Sequence, residues 1–279
     1  DFDRAPDGHT LLAVREDHRS PGEAVNTIVR LDPRRADDEG TVLLQGPDFV
    51  AAPRWAPDGR IACITWQHPD MPWDSTQLLV GTPGADGESV TWQTVAGGPG
   101  VSVIEPQWDA DGTLYFISDA EGGWWNLWRW RGHGAPERVA ALEAELAAPP
   151  WQLGQRSYAL AGDGRALVML SRGARETLAV LDLASGGLRE LPLPQVAFGS
   201  VGRLDANTGF ALAAAPDAWP ALVTIDLQTG AYTTVRSAGE TPLAAADISR
   251  AEALRFPVPP GADGARREAH AWFYAPKLA

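Results

Sequence analysis

Residues 53–66, Pro53-Arg54-Trp55-Ala56-Pro57-Asp58-Gly59-Arg60-Ile61-Ala62-Cys63-Ile64-Thr65-Trp66, decide the fold. A strand-like run ends at Trp55, breaks at Ala-Pro-Asp-Gly, and resumes at Ile61. Such a break reads as a hairpin turn. Gly takes the positive φ that a tight reversal needs, and a short polar side chain satisfies local backbone groups. The arrangement recurs at Ala5-Pro6-Asp7-Gly8, Asp109-Ala110-Asp111-Gly112, Ala161-Gly162-Asp163-Gly164 and, most weakly, Asp205-Ala206-Asn207-Thr208-Gly209. The glycines lie 51, 53, 52 and 45 residues apart.

Each turn is followed by a β-rich run, then by a second strand such as NTIVRLD or ETLAVLD, and in most repeats by a third such as TVLLQG or LRELPL. A further segment, FVAAPRW or VSVIEPQW, precedes the next turn. Four short strands in about fifty residues are the period and content of a propeller blade. The chain is expected to be all-β: a β-propeller of four-stranded blades, with four full blades and part of a fifth visible, as part of a seven- or eight-bladed ring. A closed five-bladed ring is the alternative. Trp55, Trp108 and Trp151 recur before the turns and are expected to pack between neighbouring blades. Only Glu137–Ala148 is helix-compatible, and a solvated surface helix is expected there.

The repeat stops after AYTTVRS, and residues 1–246 are assigned to the propeller. Residues 247–279 read as two strands, EALRFPV and EAHAWFYAP, the opening of a second domain. The alternative is a strand pair that closes the propeller. The start at Asp1, without Met or a signal peptide, suggests a longer parent with blades upstream. Compartment is not readable from it, with the cytoplasm favoured over secretion.

The net charge of −13 disfavours nucleic acid and anionic membrane as partners, and no apolar run approaches a transmembrane length. Cys63, the single cysteine, excludes an intrachain disulfide and reads as a small buried hydrophobe. His9, His18, His68, His133 and His270 are scattered without metal-ligand spacing, so no metal is expected and no cofactor is implied. Asp109-x-Asp111-Gly112 lacks the remaining ligands of a calcium loop and reads as a turn.

Three motifs carry a resemblance: PRWAPDGRIACITWQHPDMPWD (53–74), EPQWDADGTLYFISDAEGGWWNLWR (105–129) and EAELAAPPWQLG (143–154). With the terminal DISRAEALRFPV and AHAWFYAP segments, the chain resembles the prolyl oligopeptidase family of serine peptidases, in its dipeptidyl-aminopeptidase and acylaminoacyl-peptidase-like branch. The resemblance implies a propeller followed by an α/β-hydrolase domain bearing Ser, Asp and His. No Gly-x-Ser-x-Gly elbow is present, so no catalytic residue is assigned here. Short peptides are the implied substrate, the hydrolase domain the implied partner, and gating rather than chemistry the implied role. A TolB-like protein-binding scaffold is the alternative, and a metal-dependent lactonase propeller the weakest reading.

Five residues stand out as substrate-binding candidates. Glu143 and Glu145 match in kind the propeller carboxylates with which aminopeptidases of this family hold a substrate's free amine. An ammonium entering a partly dehydrated chamber needs an anion in place of its water. Trp125 and Asn126 lie in a loop with Asp119 and Trp124, where core packing with Asp119 and Asn126 as turn caps is the plainer reading. His68 lies in HPDMPWD, either lining the central opening or bonded within its own Pro-rigid loop.

Overall fold

Residues 1–87, 89–173, 175–261 and 264–277 are described by the computed structural model. The period-2 runs separated by turns form five four-stranded antiparallel sheets, each built from consecutive strands. The first contains β1 (Phe2–Arg4), β2 (Leu11–Asp17), β3 (Val25–Leu31) and β4 (Thr41–Leu44). The second contains β5 (Phe49–Trp55), β6 (Ile61–Trp66), β7 (Gln77–Pro83) and β8 (Val90–Gly97). The third contains β9 (Val103–Trp108), β10 (Leu114–Ser118), β11 (Asn126–Trp130) and β12 (Glu137–Arg138). The fourth contains β13 (Tyr158–Leu160), β14 (Arg165–Arg172), β15 (Arg175–Asp182) and β16 (Leu188–Glu190). The fifth contains β17 (Ala197–Arg203), β18 (Thr208–Ala215), β19 (Ala218–Asp226) and β20 (Tyr232–Ser237). A separate hairpin joins β21 (Ala251–Val258) to β22 (Arg267–Tyr274).

This is a β-propeller, with five complete blades rather than four and part of a fifth. The difference is one of phase. The segment before each Asp-Gly turn pairs with the strand after it, as Trp55 with Ile61 and Trp108 with Leu114, and is the first strand of its own blade. Gly8, Gly59, Gly112 and Gly164 take positive φ at the turns, as expected. Gly209 does not: it lies on β18, and the turn is made by Asp205, whose carboxylate accepts from the N–H groups of Asn207 and Thr208. Small size is needed there, since a Cβ would come within 2.7 Å of Leu167 in the preceding blade.

The core lies in the seams between sheets. One cluster joins the first and second sheets through Leu12, Ile28, Ile61 and Cys63. A larger one runs from Ala51 through Phe116, Leu127 and Tyr158 to Leu183, and a third joins the fourth and fifth sheets. Trp55 and Trp108 pack into these seams as expected, and the Trp108 indole N–H donates to the Arg54 carbonyl of the previous blade at 3.3 Å. Trp151 does not. It is 75% exposed, because it stands ahead of β13 in an irregular segment rather than on an inner strand.

Glu137–Ala148 contains no helix. After the two residues of β12 the chain is irregular, and Ala144 and Leu146 are fully buried. Exposed Glu143 and half-buried Glu145 alternate with buried Ala144 and Leu146, the period-two pattern of an extended segment rather than the one-sided burial of a surface helix. Instead, the segment gives its backbone groups to the strands on either side, which satisfies them without helical bonds.

The strictly up-and-down order fixes two ends. All Asp-Gly turns lie at one end of the ring. The connections from second to third strands, and from fourth strands to the next blade, lie at the other.

Candidate functional site at the connection end of the ring

All five candidate residues belong to the connection end: His68 between β6 and β7, Trp125 and Asn126 at the start of β11, and Glu143 and Glu145 between β12 and β13. That last connection, residues 139–157, is much longer than its counterparts 45–48, 98–102 and 191–196. Part of it enters the seam between the third and fourth sheets. Glu145 exchanges backbone hydrogen bonds with Ser171 of β14, at 3.0 and 2.8 Å. Leu146 N–H donates to the Trp125 carbonyl at 2.8 Å. Segment 142–147 is thus an extra extended piece held between two blades.

Trp125, Asn126 and Glu145 are brought together here. The Trp125 backbone N–H donates to Glu145 Oε2 at 2.8 Å. Asn126 is fully engaged. Its Oδ1 accepts from Leu142 N–H at 2.7 Å, and its Nδ2 donates to the carbonyls of Leu142 and Ala144, both at 3.1 Å. It orders the segment rather than capping the local turn. Asp119 likewise reaches across, accepting from Ser102 N–H at 2.8 Å.

Glu145 opens onto a cavity of about 350 Å³ that is also lined by Trp125, Met169, Ser171 and Glu176. Burial pushes its carboxyl above the usual range, against the pull of the Trp125 N–H, with the Asp119 charge adding to the rise. Glu176 is spoken for at one oxygen, which accepts from Phe198 N–H at 2.8 Å. A half-buried carboxylate beside an indole, in a concave apolar space, can bind a cation or a hydrogen-bond donor.

Glu143 and His68 stand apart. Glu143 is exposed. The His68 ring reaches Glu23 of the neighbouring connection at 2.9 Å and packs edge-on against Phe49, so its bond leaves its own loop. Trp73 of the HPDMPWD loop meets Trp151 with ring centroids 4.4 Å apart, joining two connections at this end.

Sequence reasoning passed over Glu105. It is 8% exposed on the innermost strand, and both its carboxylate oxygens accept hydrogen bonds from Ser157. The available signal was the alignment of Glu105-Pro106 with Ala52-Pro53, which places a charge where another blade has a methyl group.

The hairpin β21–β22 also stands at this end. Arg250 pairs with Asp217 of the β18–β19 connection, and a Cβ on Gly173 would come within 3.1 Å of the Arg255 guanidinium. Arg255 and its register partner His270 share the face toward the ring. Leu254, Phe256 and Phe273 share the other face and are 43–46% exposed.

Fold and site together define a β-propeller like those of the prolyl oligopeptidase family of peptidases, with its candidate residues gathered at one end. The chain is similar to a Mycobacterium tuberculosis puromycin-hydrolyzing peptidase at 30% identity and a TM-score of 0.82, over 97% of this chain and 42% of that one. A puromycin hydrolase is 28% identical with a TM-score of 0.84, over 98% and 42%. Prolyl oligopeptidase B from Galerina marginata is 13% identical with a TM-score of 0.71, and at that identity shows likeness of fold alone. The chain spans about 42% of the length of the first two. No protein-family model and no curated protein matches the sequence.

Proposed function

We propose that this chain is the substrate-gating and substrate-selecting propeller of a serine peptidase acting on short peptides, of aminopeptidase or oligopeptidase type, and that it is catalytically inert by itself. The observation that carries this reading is the position of Glu145, a half-buried carboxylate fixed by one backbone N–H at the edge of a cavity on the connection end. A peptide's α-ammonium would replace its hydration there with a charge-assisted hydrogen bond, and the indole of Trp125 would cover its apolar side. The propeller thus contributes orientation and exclusion, while the chemistry belongs to a hydrolase domain of the parent protein. The uncovered Leu254, Phe256 and Phe273 face of the hairpin supports such a domain as its neighbour.

The test is Glu145→Gln in the full-length parent. Losing a charged hydrogen bond of about 1.5–3 kcal/mol raises KM for free-amine peptides about 10- to 150-fold. N-acetylated peptides of the same sequence should be unaffected, and the isolated chain should hydrolyse neither. Equal effects on both substrates would refute the amine role.

A further inference from the structure

The seams between sheets are not equally close. Inner strands β1 and β5, β5 and β9, and β13 and β17 run side by side, whereas β9 and β13 barely approach. Segment 142–147 fills that wider gap at the connection end, with Ala144 and Leu146 fully buried. Nearer the axis the gap is bridged by Glu105. Ser157 N–H donates to its Oε2 at 2.6 Å, Ser157 Oγ–H to its Oε1 at 2.8 Å, and Tyr158 O–H to its backbone carbonyl at 2.9 Å.

The repeat shows that this contact is a variation on a shared device. Asp1, Ala52, Glu105, Ser157 and Ser200 each lie four residues before the N–H that closes the blade's first turn. The ladder shifts register around this position on β5, β9 and β17, and Ala52 and Glu105 have left-handed φ of 49° and 53°. At the first seam the Asp1 carboxylate accepts from Ala52 N–H at 2.9 Å. Aspartate suffices where the strands are close. The third seam is wider, and the extra methylene of glutamate spans it.

We propose that the seam between the third and fourth sheets is a gate in the wall of the ring, with segment 142–147 as its wedge and the Glu105–Ser157 pair as its latch. Opening would move segment 142–147, inserted between the third and fourth blades, and wet the Glu105 carboxylate that bridges this seam. This rests on the gating role proposed above but not on whether Glu145 binds an amine.

The latch responds to protons. Arg54 of β5 and Arg156, ahead of β13, face Glu105 and favour its charged form, as do the two Ser157 donors. Tyr158 of β13 is also near, with Tyr115 of β10 beyond it. Burial outweighs these and raises the Glu105 carboxyl from 4.5 to about 7. A narrow cavity of about 40 Å³, lined by Asp1, Arg54, Glu105 and Pro150, leaves room for little more than a water. Closed, the carboxyl keeps its proton up to about pH 7, on Oε1, with the Ser157 hydroxyl turned to accept it and Ser157 N–H still donating to Oε2; open and solvated, it releases that proton to water from about pH 4.5 upward. Opening therefore becomes more favourable as pH rises between these values and levels off above them.

Amide hydrogen exchange across residues 142–147 and 157–160 of the whole chain, corrected for intrinsic rates, tests this between about pH 5 and pH 8. Exchange should accelerate up to about tenfold per pH unit, levelling near pH 7. Glu105→Gln cannot ionise; its amide oxygen can accept from Ser157 N–H while its NH2 donates to Ser157 Oγ, so its exchange should be slow and flat. Ser157→Ala, which retains the ionisable group but loses one donor, should exchange faster at every pH. A flat wild-type profile would overturn the proposal. So would a pH dependence that survives in Glu105→Gln, which would assign it to Glu145 or Asp119. Equal acceleration in β17–β19 would mark loosening of the whole chain and overturn it too.

Discussion

Replacing Leu146 by Ala separates a surface helix from a wedge between blades. On an exposed helix the substitution would change stability by no more than about 0.5 kcal/mol. In the structure Leu146 is 0% exposed, and its backbone N–H is bonded to Trp125 across the seam, so the segment has little freedom to collapse into the space vacated. Loss of the buried side chain together with the residual cavity costs about 3 kcal/mol. With a urea slope of about 3 kcal/mol/M for a chain of this size, the midpoint should fall by about 1 M. Tryptophan fluorescence during urea titration measures it. Glu143→Ala, three residues away and exposed, is the control and should shift the midpoint little. If the two variants unfold together, segment 142–147 is not part of the core, and the wedge is wrong.

Other outcomes follow from the same contacts. Asn126→Ala should destabilise the chain by about 2–4 kcal/mol, since it leaves a backbone N–H and two carbonyls of the wedge unpaired in a buried seam. Its effect on exchange should be concentrated at residues 142–146, and a uniform effect would contradict the assigned role. Cys63 is wholly buried on β6, and burial pushes its thiol far up, so a thiol reagent should label it only as the chain unfolds. Rapid labelling in the native state would show that the first seam opens.

The Ala-Pro-Asp-Gly turns made the blades legible, because a two-state signal (a positive-φ glycine between period-2 runs) is local and repeats. The phase of the blades was less so. Whether FVAAPRW closes one blade or opens the next depends on which strand it bonds to, and both options have the same local pattern. Trp55 and Trp108 followed the expected packing since they end inner strands four residues before Gly59 and Gly112, while Trp151 precedes Gly164 at a different spacing and lies on no strand.

The candidate site divides along the same line. Trp125, Asn126 and Glu145 stood out as unusual residues in unusual segments. Their convergence came from a connection passing between blades, where Asn126 satisfies the segment's backbone. Glu143, beside them in sequence, remains in solvent. Glu105 lay within a recognised motif and went unnoticed because its function depends on Ser157 in the next blade.

The sequence by itself determined that the chain is a propeller, since turn chemistry and strand alternation act over a few residues and recur. Only the tertiary structure decided that the third seam is the wide one, that an acidic stretch resembling a helix fills it, and that a glutamate spans it. Those outcomes rest on distances between sheets. They are set by how blades pack around a common axis, which no single repeat encodes.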